Sequence, residues 1–330
     1  MNWRKYLPII GIVLFIFILV KINILEVVNE IRNANIFFIA ASLIVVLGMF
    51  FIQTLKWFVI AREQRIKIPF KEAFKINVIT NFYGFITPSK LGTVIRAEYL
   101  KKYTGNIGKG LCNFTLDKIF DLSSVFFMAI LFSFMFREKI PFLPIKFFIF
   151  IFAGLVLATV IFISKSRSKA ILRVFLKRMF PEKMKKKAKM AFDSFYDNIP
   201  RKRYFAVFFM LNVVNWVTNY FAVFLIGKSL GINLSFIYFL AILPIGTLIS
   251  LIPISVNGLG TREAGLISLF SLFGVSASKV FSMSLLSIFI VMVVPSAIGS
   301  FLMFKNQGKI DGKSQKNFDS YSCPQRRGKN

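Results

Sequence analysis

Long apolar segments constrain this chain more than any other feature of its sequence. A helix that crosses a membrane needs about 20 predominantly apolar residues, and six segments of the 330-residue chain are of that length or longer. They are too long to be hidden together in one soluble core. The sequence therefore predicts an all-α polytopic membrane protein and excludes a water-soluble enzyme. The six predicted spans are 7–25, 36–60, 110–136, 145–164, 204–227 and 277–304.

Two further apolar regions are not simple spans. As a helix, the segment 74–86 covers about 20 Å, at about 1.5 Å per residue, which is too short to cross. The segment 234–253 contains two prolines, and it is followed by a glycine-containing break at 257–260 and a short helix over 262–274. Each region therefore predicts a broken helix that turns within the membrane.

Basic residues predict the orientation of the chain. Lys and Arg total 43 against 14 Asp and Glu, which gives a net charge of +29. In a soluble protein this excess would suggest nucleic-acid binding. In a membrane protein, basic residues collect on cytoplasmic loops instead, so no nucleic-acid partner is expected. The segments 61–75, 165–203 and 305–330 carry five, fourteen and seven Lys or Arg, so we expect a cell-membrane protein with both termini cytoplasmic.

This orientation determines how the two broken regions enter the membrane. Span 36–60 ends on the cytoplasmic side and span 110–136 begins there, so the region 74–103 must enter and leave from that side. By the same reasoning, the region 234–274 enters and leaves from the outer side. The sequence predicts about six full spans plus two oppositely oriented re-entrant hairpins, as a pseudo-inverted repeat. The alternative is that both halves of the second region cross with heavy tilt.

The predicted organisation is one transmembrane domain over residues 1–304 and a disordered tail over 305–330. The basic linker 165–203 joins the two halves of the domain, and its apolar residues recur at helical spacing. An amphipathic basic helix of this kind lies on anionic lipid headgroups, although a solvated connector fits the same pattern. Membrane lipids are therefore the expected partners, and assembly into a homo-oligomer stays open.

The two broken regions share a sequence pattern. Both contain Leu-Gly-Thr followed closely by Arg and then Glu, at 91–98 and at 259–263. Glycine lets the backbone turn tightly, and the N-terminus of the helix that follows favours an anion. Irregular backbone at membrane depth is tolerated only where it is packed in protein or lines a wet cavity. The pattern therefore favours a polar cavity where the hairpins meet, over two kinked helices without one.

Charged residues stand near the cytoplasmic end of the third predicted span. Asp117 and Asp121 are four residues apart and share a helix face, with Lys118 between them. An isolated charge at the bilayer centre costs about 3 kcal/mol. These residues therefore either form a charged floor of the cavity, paired with Arg96 or Arg262, or reach the interface from a frayed helix start. The predicted headgroup-binding residues are Arg96, Glu98, Asp117, Lys118, Asp121, Arg262 and Glu263.

Amide side chains recur along two of the predicted helices. In the span 204–227 three asparagines share a stripe, which fits either a cavity wall or hydrogen bonds between helices. The short helix 74–86 repeats the pattern. Lys56, near the inner end of its span, is expected to extend to the interface. The predicted cavity-lining residues are Asn77, Asn81, Gly92, Asn215, Asn219, Asn257, Gly258 and Gly260.

With these motifs the chain resembles the lysylphosphatidylglycerol synthase transmembrane family, also described as the flippase-like domain. The segments 81–100, 116–122 and 253–266 carry the resemblance, which extends over nearly the whole chain in order. Thr93 stands where the family commonly has Glu, and Lys118 stands where it has Arg. The first break matches the family at Pro88, Gly92 and Arg96, and the second at Gly258, Gly260, Arg262 and Glu263, with Asn257 in place of a glycine.

The resemblance implies that a lipid headgroup, carried by a phospholipid or a polyprenyl phosphate, is moved between leaflets. Arg96 and Arg262 would hold the lipid phosphate, and the carboxylates would balance these charges or engage a cationic headgroup. Lysyl transfer is not expected, since the 330 residues contain no soluble aminoacyl-transferase domain. The expected protein is not an enzyme and uses neither a cofactor nor a metal.

Other functions remain open from the sequence. One is a secondary transporter or channel for a small polar solute. Another is a membrane-embedded transferase acting on a lipid phosphate, with Asp117 and Asp121 holding a divalent metal, and the last is a passive scaffold. The sequence contains no histidine, which removes His-based zinc sites and Ser–His–Asp triads. It also contains no Gly-x4-Gly-Lys-Ser/Thr motif, so transport would be downhill, ion-coupled or driven by a partner.

Overall fold

The computed structural model of the protein describes residues 17–18, 20–22, 24–105, 107–136, 145–163, 165, 192–251 and 258–303. Over these ranges the chain forms helices and no β-strand, as predicted for an all-α membrane protein. Its helices are α1 (Ile24–Arg32), α2 (Ile36–Glu63), α3 (Phe70–Phe85), α4 (Arg96–Thr104), α5 (Ile107–Met135), α6 (Ile145–Ile163), α7 (Phe205–Ser229), α8 (Phe236–Leu251), α9 (Thr261–Ser271) and α10 (Ala277–Met303).

Four of these helices, α2, α5, α7 and α10, are long and apolar enough to cross a membrane. They coincide with four of the predicted spans, and α6 coincides with the predicted span 145–164. Most of the first predicted span lies outside the described residues. The same holds for most of the linker 165–203 and for the tail 305–330.

Helices α2 and α7 pack along each other in opposite directions. The backbone N–H of Asn35, just before α2, donates to the carbonyl oxygen of Ser229, at the end of α7, at 2.8 Å. Towards their other ends, Lys56 Nζ donates to Asn212 Oδ1, also at 2.8 Å. The bundle therefore has a Gln64 end, where α2 ends and α7 begins, and a Ser229 end, where α7 ends.

Helix α5 begins at the Gln64 end. Asn113 Nδ2 donates to Gln64 Oε1 at 3.2 Å, and further along α5 both Asp117 and Asp121 pair with Lys56. Residue numbers thus rise in α5 as they fall in α2, so the two helices are antiparallel. Because α2 ends and α5 begins at the Gln64 end, the region between them returns to the end at which it enters. This is the arrangement predicted for the first hairpin.

A 3₁₀-helical segment, Pro88–Ile95, joins α3 to α4 in the first hairpin. Thr87 closes this turn, because its Oγ1 donates to the Tyr83 carbonyl oxygen at 2.8 Å and accepts from the Gly92 N–H at 2.7 Å. A Cβ atom at position 92 would overlap the Tyr83 carbonyl oxygen. Only glycine therefore fits this close approach of backbone to backbone.

Helices α8 and α9 form the second hairpin. The ring of Phe239, near the start of α8, contacts that of Phe270, near the end of α9, with centroids 5.2 Å apart. Gly246, deeper in α8, lies against Leu266. With 16 and 11 residues, the two helices are about 24 Å and 17 Å long, short of the roughly 30 Å of a bilayer core. Helices α8 and α9 are therefore antiparallel, and the region enters and leaves at the Ser229 end, as predicted for the second hairpin.

Helix α10 begins at the Ser229 end, because Met283 lies against Gly227 of α7. It contains a π-helical segment, Ile288–Val293. Pro295 follows this segment and has no N–H to donate to the preceding turn, which accounts for the wider winding. The two halves, α2 to α5 and α7 to α10, therefore share one order of elements in opposite directions, as the predicted pseudo-inverted repeat requires.

We expect Gly258→Ala to destabilise the protein more than Gly274→Ala does. Both glycines have positive φ, +80° and +72°, which costs an alanine about 1 kcal/mol. Position 274 opens onto free space, whereas a Cβ at position 258 would collide with the backbone of Ser250, which raises the cost to about 2–3 kcal/mol. Thermal unfolding in detergent measures the difference, and equal losses would show that residues 250 and 258 are not in contact.

Candidate functional site

Five charged side chains from three helices meet near the Gln64 end of the bundle, and we name them the charge cluster. Arg96 Nη2 lies 2.8 Å from Asp117 Oδ2. Lys56 Nζ lies 2.8 Å from Asp121 Oδ1 and 3.3 Å from Asp117 Oδ1. Lys118 Nζ is more distant, 3.9 Å from Asp121 Oδ2. Of the two partners predicted for Asp117, the structure therefore brings Arg96 to it.

Arg96 is held in place by its position at the start of α4. Its guanidinium lies over the ring of Trp57, 4.9 Å from the centroid, and near Phe114, at 5.7 Å. These are cation–π distances, and only 5% of the residue is exposed. Helix α4 approaches α5 closely, because Gly110 faces the backbone of Ala97 without a side chain between them. This close approach aims the guanidinium at its carboxylate partner.

The position of the Lys56 side chain differs from the one expected from the sequence. The lysine was expected to extend to the interface, but it is 3% exposed, and its ammonium donates to Asp121 and to Asn212. Helix α2 continues to Glu63, which places Lys56 about 10 Å inside the end of its helix. At that depth, pairing with buried oxygen atoms replaces contact with water.

The charge cluster is not electrically neutral. It contains three cations and two carboxylates, and the side chain of Lys118 is 38% exposed whereas those of Lys56 and Arg96 are buried. Charges interact strongly in surroundings of low dielectric. One uncompensated positive charge at the edge of the cluster therefore favours the approach of an anion. Glu98 does not supply the missing negative charge, because it lies at the surface, 3.2 Å from Lys101 Nζ.

Arg262 stands near the start of α9, in the second hairpin, much as Arg96 stands at the start of α4. Its Nη2 donates to Ser287 Oγ of α10 at 3.3 Å. In the part of the chain that the structure describes, no carboxylate forms an ion pair with it. The neighbouring Glu263 faces elsewhere: it is buried and accepts from the Gly260 N–H at 2.6 Å and from Ser284 Oγ at 2.7 Å.

Gly258 and Gly260 form the described part of the second break, with φ of +80° and +82°. Such left-handed backbone suits glycine, and it turns the Gly260 N–H toward Glu263. These two predicted lining residues therefore shape the N-terminus of α9. Asn257, also predicted to line the cavity, lies outside the described residues.

Tyr220 of α7 stands between the two arginine-bearing regions. Its hydroxyl donates to Thr247 Oγ1 of α8 at 3.1 Å, and Tyr220 lies about two turns along α7 from Asn212, which contacts the charge cluster. Arg96 and Arg262 have no direct contact among the described side chains. The structure thus places one arginine with the charge cluster and the other near the second hairpin, with Tyr220 between them.

The predicted amides lie between these two regions. Gln53, which the sequence analysis did not single out, accepts from Asn77 Nδ2 at 3.2 Å and from Asn81 Nδ2 at 3.0 Å. Asn219 Nδ2 contacts Met49 Sδ at 3.2 Å. Since Met49 and Gln53 are one turn apart on α2, the inner parts of α3 and of α7 are at the same level of the bundle. Asn215 lies on the same stripe of α7 as Asn219.

Comparison with known proteins agrees with the resemblance seen in the motifs. Residues 8–299 match the family model described as "Lysylphosphatidylglycerol synthase TM region". A UPF0104 membrane protein of Pyrococcus horikoshii is 21% identical over 327 residues, covering 92% of this chain and 98% of the relative. A UPF0104 membrane protein of Methanothermobacter thermautotrophicus is 20% identical over 328 residues, covering 93% and 95%.

Proposed function

The chain belongs to the lysylphosphatidylglycerol synthase TM-region family of integral membrane proteins, and on this premise we propose that it moves an anionic lipid headgroup between the two leaflets. The acyl or polyprenyl chains stay in the bilayer while the phosphate crosses within the bundle. The protein performs no chemical step on the lipid. It lies in the cell membrane with both termini cytoplasmic, and its basic linker, residues 165–203, rests on anionic headgroups.

The observation that carries this proposal is a pair of cationic sites at different depths of an inverted repeat. Broken helices that enter from opposite faces are the layout in which transporters place their substrate sites. Near the Gln64 end the charge cluster has one positive charge in excess. Near the second hairpin, Arg262 has a hydroxyl as its partner. A phosphate needs donors and positive charge at each stage of its path, and these two sites supply them.

The polar side chains between the two sites support a continuous path. Amides and hydroxyls of Gln53, Asn77, Asn81 and Tyr220 lie at intermediate depth, where an apolar wall would strip the phosphate of all hydrogen bonds. By contrast, Asp117 and Asp121, the carboxylates that a transferase would use to hold a metal, both pair with Lys56. The side chains therefore favour translocation over transfer chemistry.

We expect Arg262→Gln to lower lipid translocation at least tenfold. Purified protein is reconstituted into vesicles that contain acyl-chain-labelled NBD-phosphatidylglycerol, and dithionite reports how fast the label leaves the inner leaflet. The substitution removes the positive charge but keeps a donor for Ser287, so the fold should persist. Lys279→Gln removes a charge from the start of α10 and serves as the matched control. Equal rates for wild type and Arg262→Gln would contradict the assignment of Arg262, and no translocation by wild type would contradict the function itself.

A further inference from the structure

Carboxylates in the membrane-embedded part of the chain decide whether the protein could hold a cationic headgroup. Among the carboxylates of the described helices, Asp117 and Asp121 lie well inside α5, and Glu263 is buried in the first turn of α9. Asp117 pairs with Arg96 and Lys56, and Asp121 pairs with Lys56. Glu263 accepts from a backbone N–H and from a serine hydroxyl. A lysyl or ethanolamine group would have to compete with these partners at a site that already has an excess of positive charge.

Two buried polar atoms on α7 have no hydrogen-bond partner among the described residues. One is the acceptor Asn215 Oδ1, on a residue that is 6% exposed, and the other is the donor Trp216 Nε1. Buried polar atoms are normally paired with protein, water or ligand. Asn215 lies one turn from Asn212, which contacts the charge cluster, and one turn from Asn219, so the two atoms are at a depth between the cationic sites.

The chemistry of this pair points to a hydroxyl group. Different hydroxyls of one polyol can donate to the amide oxygen and accept from the indole N–H, whereas an ammonium can only donate. The side chains at the same depth are the amides of Gln53, Asn77 and Asn81 and the hydroxyl of Tyr220. Neutral groups that both donate and accept are suited to a headgroup with several hydroxyls.

We infer that the transported lipid has a neutral, polyhydroxylated headgroup on its phosphate, such as glycerol or a sugar-like ring, and that Asn215 and Trp216 recognise its hydroxyls. This inference rests on the proposed translocation. The cationic sites bind the phosphate. The amide side chains that lie between these sites select the headgroup attached to the phosphate. An aminoacylated lipid is disfavoured, because it brings a further positive charge to a part of the bundle in which Asp117, Asp121 and Glu263 already have partners.

A comparison of translocation rates for four labelled lipids tests the headgroup selectivity. The full chain is reconstituted with acyl-chain-labelled phosphatidylglycerol, phosphatidylinositol, phosphatidic acid or lysyl-phosphatidylglycerol, and dithionite quenching gives the rate for each. The first two should move at least fivefold faster than the last two. The glycerol and inositol arms show which kind of polyol is preferred. If lysyl-phosphatidylglycerol or phosphatidic acid moves as fast as phosphatidylglycerol, the inference is overturned while translocation stands. If no lipid moves, both fail.

Two variants test the residues themselves. Asn215→Leu should slow phosphatidylglycerol at least fivefold and leave the slower rate of phosphatidic acid unchanged. Trp216→Phe, which keeps the ring and removes only the N–H, should do the same to a smaller degree and covers the case in which Asn215→Leu does not fold. Thr218→Val is the matched control, because the Thr218 hydroxyl donates only to the backbone of its own helix. An equal loss for both lipids in Asn215→Leu and in Trp216→Phe would overturn the recognition role.

Discussion

Replacing Asp117 with leucine is expected to lower the free energy of unfolding by about 3–5 kcal/mol. The carboxylate lies 2.8 Å from Arg96 and 3.3 Å from Lys56, and all three residues are buried. Without it, two cations would face each other in surroundings of low dielectric, with Asp121 as the remaining counter-charge. Removing one partner of a buried pair is costly because the other charge stays desolvated. Thermal or denaturant unfolding of the purified protein in detergent measures the loss.

The control variants distinguish the loss of a buried carboxylate from the loss of an exposed one. Glu98→Gln breaks an exposed pair with Lys101, so it should cost less than about 1 kcal/mol. The double variant Asp117→Leu/Arg96→Met removes both members of the closest buried pair and should recover part of the stability that Asp117→Leu loses. If Asp117→Leu and Glu98→Gln unfold at the same temperature, the charge cluster is not the buried network described above.

The architecture could be predicted from the sequence because it depends on quantities that are local in the chain. The length of an apolar segment determines whether a helix can cross, and the Lys and Arg of the connecting segments determine on which side it ends. Together these required both hairpins to return to the side from which they enter. The structure shows this return, since Asn113 at the start of α5 contacts Gln64 at the end of α2.

The partners of the charged residues could be predicted only in part. The interval of four residues between Asp117 and Asp121 places them on one helix face, and the structure shows both paired with Lys56. Lys56 itself was assigned to the interface, because hydropathy reports how deep a residue lies but not toward which neighbour its helix is rotated. Its oxygen partners, Asp121 and Asn212, are 65 and 156 residues away in the chain. No spacing rule links positions so far apart.

The roles of the two glutamates that follow the arginines also required the structure. In sequence, Glu98 and Glu263 are parts of one repeated pattern. In the fold, Glu98 is exposed beside Lys101, whereas Glu263 is buried and caps the N-terminus of α9. Both glutamates stand two residues into their helices, but the side chain of Glu98 lies at the surface, whereas that of Glu263 is packed against Ser284 of α10. The repeated motif therefore predicted the two broken helical regions correctly, but it did not predict the contacts of each side chain.

The contact between α4 and α5 leads to a second prediction of large effect, for Gly110→Leu. A Cβ at position 110 would already collide with the backbone of Ala97, and a leucine would push α4 away from α5. Overpacking of this kind costs about 1–3 kcal/mol. The same displacement would draw Arg96 away from Asp117 and add part of the cost of a broken buried pair. We expect a total of at least about 3 kcal/mol, with translocation lost as well, as measured by unfolding in detergent and by dithionite quenching.

Gly154→Ala is the matched control for Gly110→Leu, and a graded series sharpens the test. Position 154, in α6, has free space around it, so alanine should leave stability unchanged or raise it by about 1 kcal/mol through its higher helix propensity. Gly110→Ala should fall between the control and Gly110→Leu, because its single methyl group meets the same backbone. A Gly110→Leu protein that unfolds and translocates like wild type would show that α4 does not rest on α5. In that case the Arg96–Asp117 pair could not depend on this contact.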